Sequence, residues 1–262
     1  MVYIGLPRYT EAEWGKLLDL RPDGVVLGDL LCNKRMFPHG GAELGELMLE
    51  LKAEGISAIY QTPLYATDRV FSDVVEAVAY YHKKGLIRAA IVQDVGVASV
   101  LSRRCEGLTI IWGRLGYART PTVNTHTIDF YMEHGVTGFE CKSPEQADYA
   151  GKIGASPYLM IGYPRYLTIN RECYYRFEHN IFDDYCQLGC LNREKIVIPT
   201  GKGIETTLDG YVLGWQNVYD PECMAKAYSY ANCIVYADSL PEASEKIDEM
   251  NRLAGMVKEN DR

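Results

Sequence analysis

Four of the eight cysteines are spaced so that they could bind one metal centre. Twelve residues separate Cys173 from Cys186, three separate Cys186 from Cys190, and Cys32 lies far upstream. Residues four apart on a helix share a face, so Cys186 and Cys190 can reach one ion if their segment is helical. Four thiolates are the usual ligands of a 4Fe–4S cluster and also of a structural zinc ion, and spacing alone does not distinguish the two.

The start of the chain bears on the redox state of these thiols. The N-terminal segment MVYIGLPRY has no charged region followed by an apolar run, so we do not expect a secretory signal. No apolar stretch is long enough to span a membrane, and we expect a cytoplasmic protein. Cytosolic thiols are kept reduced, which favours metal binding or catalysis for the clustered cysteines. The remaining cysteines are expected to pack in the core or at its edge: Cys105, Cys141, Cys223 and Cys233.

Charge and motifs exclude several classes of function. The net charge of −8 comes without a basic patch, so direct nucleic-acid binding is not expected. Neither Gly-x-Ser-x-Gly nor His-Glu-x-x-His occurs, which argues against a hydrolase nucleophile elbow and against a zinc protease. A small-molecule substrate is the expected partner.

Short β-branched runs alternate with amphipathic helical patterns, which predicts βαβ units and parallel strands. The predicted strands are Val2–Gly5, Gly24–Leu27, Ala58–Gln61, Arg88–Val92, Thr109–Trp112, Thr137–Cys141, Tyr158–Gly162, Lys195–Ile198 and Cys233–Tyr236. The predicted helices are Thr10–Leu20, Gly41–Glu54, Ser72–Lys84, Ser143–Ile153 and Pro241–Lys258.

This order of elements predicts an α/β fold, a (β/α)8-type (TIM-like) barrel that is complete, incomplete or distorted. A doubly wound open sheet is the alternative. We expect one domain over residues 1–262, with an irregular cysteine-bearing insertion at about 163–204.

The barrel would bring the candidate ligands to one face. Cys32 follows the strand at 24–27 and Cys173 follows the strand at 158–162, so both are expected at the carboxyl ends of the strands, where barrel enzymes bind substrate. The same face would be lined by residues that follow other strands: Gln61, Gln93, Asp94, Arg114, Asn124, His126 and Tyr163. Arg35 and Arg171 lie near cluster cysteines and could pair with sulfide charge or with an anionic substrate.

The motifs around these cysteines resemble those of a known family. The segment Gly28-Asp29-Leu30-Leu31-Cys32-Asn33-Lys34-Arg35, the stretch from Tyr163 to Arg171-Glu172-Cys173, and the spacing of Cys173, Cys186 and Cys190 are similar to the collagenase-like peptidase family (unknown-type peptidase family thirty-two). Asn124-Thr125-His126 also resembles an Asn-containing strand end of that family. Within it, the likeness is greatest to UbiV-type subunits, half of a bacterial pair that hydroxylates ubiquinone precursors without oxygen.

The resemblance implies a barrel-like fold and a 4Fe–4S cluster bound by Cys32, Cys173, Cys186 and Cys190. It also implies a paralogous barrel subunit as partner and a role in oxygen-independent hydroxylation. A non-catalytic metal-binding subunit, with zinc or a cluster, is one alternative. A peptidase is another, and it is disfavoured because no Glu-x-x-x-Gly pattern precedes Cys173.

Overall fold

The structure is a computed structural model that describes residues 1–6, 11–28, 41–63, 68–113, 125–169, 196–199, 205–209, 212–237 and 239–260. Eight of its strands are parallel: β1 (Val2–Gly5), β2 (Gly24–Gly28), β3 (Ser57–Gln61), β4 (Ala89–Val92), β5 (Thr109–Trp112), β6 (Gly138–Cys141), β7 (Ser156–Ile161) and β12 (Cys233–Tyr236). They close into a barrel in the order β1-β2-β3-β4-β5-β6-β7-β12. The predicted (β/α)8 class is therefore confirmed.

Helices alternate with the barrel strands along the chain. They are α1 (Glu11–Leu20), α2 (Gly41–Ala53), α3 (Asp68–Lys83), α4 (Val95–Arg104), α5 (Thr125–Glu133), α6 (Pro144–Lys152), α7 (Pro221–Lys226) and α8 (Leu240–Asn260), with a 3-10 helix at Ala227–Ser229. The sequence predicted five of these and missed α4, α5 and the short α7. None of the helices in the described part of the chain has the length and apolar character needed to cross a bilayer.

The barrel strands separate two apolar cores. Alternate strand residues such as Ile4, Val25 and Tyr60 pack outward against the helices. The intervening residues, such as Val26 and Ile59, pack together in a smaller cluster inside the barrel. Because side chains alternate along a strand, a residue's position in the strand decides whether it meets helices or the barrel axis.

A second sheet is inserted in the chain between β7 and α7. It contains β8 (Tyr163–Ile169), β9 (Ile196–Pro199), β10 (Glu205–Asp209) and β11 (Val212–Val218). The strands are antiparallel in the order β8-β11-β10-β9. The run at 195–198, predicted as a barrel strand, therefore lies in β9 of this sheet, because a β-branched run suits either kind of sheet. Regular strands also occupy part of the segment for which we predicted an irregular insertion.

Candidate active site

Four polar side chains point into the barrel, and we call them the polar tier: Gln61, Gln93, Glu140 and Tyr236. Three of them stand at or just after the carboxyl ends of their strands, whereas Glu140 lies within β6, where its register partner on β7 (Ser156–Ile161) is Tyr158. Gln61 ends β3, Gln93 follows β4, Glu140 lies in β6 and Tyr236 ends β12. Gln61 and Gln93 are 7% exposed and Glu140 is 4% exposed. This is the face on which barrel enzymes place their active sites.

An apolar plug fills the barrel below the polar tier. It consists of Val26, Ile59, Ile91, Ile111 and Ile234, all at most 3% exposed and all in one contact cluster. Gln61, Gln93 and Tyr236 each lie two residues after a member of this plug, which puts them on the same inner face of their strands. The polar side chains therefore adjoin a layer of closely packed, β-branched apolar side chains.

Glycines on neighbouring strands give the polar side chains their space. A Cβ added at Gly5 would lie 2.7 Å from the ring of Tyr236, and one added at Gly113 would lie 1.7 Å from Nε2 of Gln93. Real Cβ atoms do not approach other heavy atoms so closely, so each large side chain lies directly across a neighbouring glycine. The small and large residues are thus matched across adjacent strands.

A hydrogen bond joins two members of the polar tier. The hydroxyl of Tyr236 donates to Oε1 of Glu140 in a short contact. Strand β7 lies between their strands, β12 and β6, in the barrel order, so the bond bridges over β7. The Glu140 carboxylate is therefore held at a fixed place inside the barrel rather than extended into solvent.

The second sheet is fastened to the barrel beside the polar tier. Gly162, between β7 and β8, has φ +73°, and a Cβ there would lie 2.3 Å from the Tyr219 ring and 2.6 Å from the carbonyl oxygen of Tyr236. The Tyr219 hydroxyl, just after β11, lies 3.1 Å from that carbonyl oxygen and 2.7 Å from Oε1 of Glu242 on α8. Only glycine suits this junction, because the backbone conformation and the close ring both exclude a side chain.

Some predicted lining residues lie where the sequence placed them, and one has another role. Gln61 and Gln93 are in the polar tier. Asp94 was predicted to line the site, but its carboxylate caps α4, accepting hydrogen bonds from the backbone N–H of Gly96 (2.7 Å) and Val97 (3.1 Å). Aspartate is a favoured N-cap because it satisfies N–H groups that a helix start leaves unpaired.

For two other predicted residues the structure gives the backbone position, and the remaining ones lie outside the described residues. His126 is the second residue of α5, and Tyr163 is the first of β8. The remaining predicted site residues lie outside the described residues: Cys32, Arg35, Arg114, Asn124, Arg171, Cys173, Cys186 and Cys190. Their roles stay predictions.

The four cysteines predicted to be core residues are buried free thiols. Burial raises the pKa of Cys141 to about 12, that of Cys223 to about 12 and that of Cys233 to about 11. Burial also raises the pKa of Cys105. All four pack in the apolar core that the strands share with the helices, as the sequence predicted. Within the described residues no group of three or more His, Cys, Asp and Glu side chains could hold a metal ion.

The other four cysteines fit a cluster by donor type. They supply four thiols, the number that a 4Fe–4S cluster takes. Cys32 lies four residues after the end of β2, and Cys173 lies four residues after the end of β8. The sequence analysis placed Cys173 after the barrel strand at 158–162 and the turn that follows it, and in the structure β8 of the second sheet lies between that strand and Cys173.

Glu140 and Tyr236 are the members of the polar tier that the sequence prediction missed. Both lie within strands rather than after them, and each was taken as an ordinary strand residue. A charged residue in the apolar strand Gly-Phe-Glu-Cys was the available signal, since a buried carboxylate is costly unless it is paired or functional.

The comparisons with known proteins show the fold of the chain and nothing finer. No family model and no curated protein matches the chain. Its structure is similar to that of the U32 peptidase Mk0906, with a TM-score of 0.50 and 15% identity over 90% of this chain and 91% of that one. It is also similar to a putative glycerophosphodiester phosphodiesterase from Galdieria sulphuraria, with a TM-score of 0.51 and 9% identity over 97% of both chains. The chain thus shares a barrel fold with the U32 peptidase and with a protein of different name, and its function has to be argued from its own residues.

Proposed function

We propose that this chain is an iron–sulfur protein of an oxygen-independent hydroxylation system, with a 4Fe–4S cluster on Cys32, Cys173, Cys186 and Cys190. The observation that carries the proposal is the division of the eight cysteines into two sets. One set consists of buried thiols that pack in the apolar core. The other set has the spacing of the cluster ligands in the family that the sequence resembles.

The substrate site in this proposal is the polar tier. Its amides and carboxylate offer hydrogen bonds to a small molecule, and the apolar plug below excludes water from one side of it. When bound, the cluster would supply one-electron transfer or activate an oxygen donor. Hydroxylation without molecular oxygen replaces C–H by C–OH, so it also needs that oxygen donor and an acceptor for two electrons. Arg35 and Arg171, next to the proposed ligands, would neutralise anionic charge, and Asn124, His126 and Tyr163 would line the approach.

The proposal includes a partner and a compartment. A paralogous barrel of the same family would form the second subunit, as in the pair that the sequence resembles. The cytoplasm, where thiols stay reduced, is the expected location. In the alternative, this chain is a non-catalytic subunit whose metal, zinc or a cluster, holds its loops together.

The proposal is tested by metal analysis of protein purified without oxygen. We expect a brown protein with about four irons and four acid-labile sulfides per chain, the content of a 4Fe–4S cluster. Cys186→Ala should lose most of the iron, because one of the four ligands is removed. The matched control is Cys223→Ala, which removes a buried core thiol and should keep the iron.

Two outcomes would reject the cluster. One stoichiometric zinc per chain in a colourless protein would favour the structural metal subunit. Unchanged iron in Cys186→Ala would remove that residue from the ligand set. Proteolytic activity that persists in metal-free protein would instead support a peptidase.

A further inference from the structure

We propose that one outer side of the barrel is a docking surface for an acidic polypeptide segment that also carries apolar side chains. The surface lies where α2, α3 and α4 end and lead into β3, β4 and β5. We call it the basic face, after the Lys and Arg residues of these three turns: Lys52, Lys83, Lys84, Arg88, Arg103 and Arg104. The inference requires neither the cluster nor the polar tier.

Positive charge is concentrated on these three turns. Residues 52–57, 83–88 and 103–109 include six Lys and Arg and two acids, Glu54 and Glu106, a net charge of +4. The other described helix-to-strand turns with charged residues, 21–24, 133–138 and 152–156, together include two Lys and Arg and two acids. Because the whole chain has a net charge of −8, the basic face is a local exception on an acidic protein.

The helix dipole does not account for this concentration. A cation is favourable in the last turn of any helix, since the carbonyl end of the helix is partly negative. Helices α1 and α5 nevertheless have no basic residue in their last turns, whereas the cations on α2, α3 and α4 extend beyond the helices into the turns. Another cause is therefore needed for the charge on this side.

Hydrogen bonds join the three turns into one surface. Nζ of Lys52, at the end of α2, donates to the carbonyl oxygen of Lys84 after α3, at 3.1 Å. Nε2 of His82, at the end of α3, lies 3.0 Å from the carbonyl oxygen of Glu106 after α4. The cations of the three turns are thus held beside one another.

The six cations are exposed, and most have no acid beside them. Arg104 forms an ion pair with Glu76 of α3 at 2.7 Å. Within the described ranges the other five take part in no ion pair. Like charges held close together repel each other, and an acidic partner would relieve that repulsion. Charge complementarity therefore makes the expected partner acidic.

Two exposed apolar side chains lie beside the cations. Tyr80 on α3 and Leu49 on α2 are each 57% exposed. Nζ of Lys84 lies 5.7 Å from the centre of the Tyr80 ring. Leu49 is four residues after Gly45 and three before Lys52, two positions of α2 that contact α3, so it lies on the same side of its helix. An apolar contact is therefore offered next to the charges.

This combination favours a polypeptide over a nucleic acid. Aromatic side chains are enriched in protein interfaces, where they often contribute most of the binding energy. A sugar–phosphate backbone would pair with the cations but would leave Leu49 without an apolar partner. The net charge of the chain also opposes a long polyanion such as DNA.

The experiment measures binding of a fluorescently labelled peptide of repeated Glu-Glu-Leu units to the full chain by fluorescence anisotropy. Two reference peptides replace every Glu by Gln or every Leu by Ser. We expect the Glu-Glu-Leu peptide to bind at least about tenfold more tightly than the Gln peptide, because several exposed ion pairs add up to that factor. It should bind about fivefold more tightly than the Ser peptide, and its affinity should fall as salt is raised.

Charge reversal assigns the binding to the basic face. Lys83→Glu combined with Lys84→Glu should weaken binding of the Glu-Glu-Leu peptide at least about tenfold at about 0.1 M salt. The control combines Lys152→Glu with Arg252→Glu, two exposed positions outside the basic face, and gives the same net charge. Its affinity should stay within about twofold, since charges beyond about 10 Å are screened at this salt concentration.

A second pair of variants tests the apolar contact. Tyr80→Ala should weaken binding about fivefold, because a ring at an interface is lost. The control is Tyr228→Ala, which removes another tyrosine that is 47% exposed, and it should keep the affinity.

Equal affinity of the Glu-Glu-Leu and Gln peptides for the unaltered protein would overturn the inference without any variant. Equal losses in the two charge-reversed variants would also overturn it, because binding would then follow net charge and not the basic face. Tighter binding of a DNA duplex than of the peptide under the same conditions would assign the surface to nucleic acid and reject the polypeptide.

Discussion

At both ends of the barrel interior large side chains lie across glycines, but the two ends differ in the type of side chain. At the amino end of the strands, which we call the basal end, Tyr3 and Tyr158 have ring centroids 6.1 Å apart. A Cβ added at Gly24 would lie 2.4 Å from the Tyr3 ring, and one added at Gly138 would lie 3.2 Å from the Tyr158 ring. Burial raises the pKa of both tyrosine hydroxyls. Two aromatic rings thus cover the inner apolar core at the basal end.

At the mouth, large side chains again lie across glycines of neighbouring strands, but there the large side chains are polar. Tyr236 lies across Gly5 and Gln93 lies across Gly113. The Tyr236 hydroxyl donates to Glu140, which lies within β6 as the register partner of Tyr158. Packing alone does not explain why the side chains at the mouth are polar, because aromatic residues would fill the same space equally well. Residues at the basal end are expected to act on stability and those at the mouth on binding, as is general for such barrels.

The largest effect is expected in the apolar plug that separates the two ends. Ile91 is 0% exposed, so Ile91→Ala leaves a cavity and should lower the free energy of unfolding by about 2–5 kcal/mol. Chemical denaturation followed by circular dichroism measures this. Leu49, which is 57% exposed, is the control, and Leu49→Ala should change stability by less than about 0.5 kcal/mol. Similar small losses in both variants would contradict a close-packed plug.

The two ends can be compared directly by adding one methyl group at each. In Gly24→Ala the new Cβ meets the Tyr3 ring and also the Ser57 carbonyl oxygen, at 2.7 Å, so we expect a loss of about 1–3 kcal/mol. In Gly113→Ala it meets the flexible end of Gln93, which can move, and the loss should stay below about 1 kcal/mol. Thermal or denaturant unfolding of the two variants gives the ranking, and the reverse ranking would refute the proposed difference in rigidity.

Alkaline pH should weaken the basal end. The pKa of Tyr158 is raised in the folded protein by burial and then by the nearby Tyr3, so the unfolded chain loses its phenolic proton first. The stabilising contribution is complete below about pH 10 and is lost above it, by up to about 1.4 kcal/mol per pH unit. Tyr158→Phe should make the fall in unfolding free energy above that pH shallower. An unchanged pH profile in this variant would mean that Tyr158 does not contribute to it.

Much of the barrel could be predicted from the sequence. The strands at Thr109–Trp112 and Cys233–Tyr236 have the predicted bounds, because parallel barrel strands are buried on both faces and read as continuous apolar runs. Helix α4 was missed because its sequence, VGVASVLSRR, contains a glycine and three valines, residues that disfavour helices. Its formation depends on the Asp94 cap and on burial of Leu101, and the latter depends on the folded barrel.

The candidate site was harder to predict than the fold. Gln61 and Gln93 stand at the ends of apolar runs, where a polar residue is conspicuous. Glu140 lies inside such a run and Tyr236 ends one as an aromatic residue, and only closure of the barrel decides that their side chains face its axis rather than the helices. Their hydrogen bond joins residues 96 apart in the chain, so no local pattern could reveal it.

The smallest effect on stability is expected at Glu140. In Glu140→Gln the amide oxygen can still accept from the Tyr236 hydroxyl, and the weaker bond is offset because a charge no longer has to be buried. We therefore expect the free energy of unfolding to change by less than about 1 kcal/mol, measured by denaturant unfolding at neutral pH. A loss above about 2 kcal/mol would mean that the hydrogen bond between Tyr236 and Glu140 contributes to stability by linking β6 to β12. A small change would instead mean that this hydrogen bond adds little to stability, in contrast to the packed residues of the basal end.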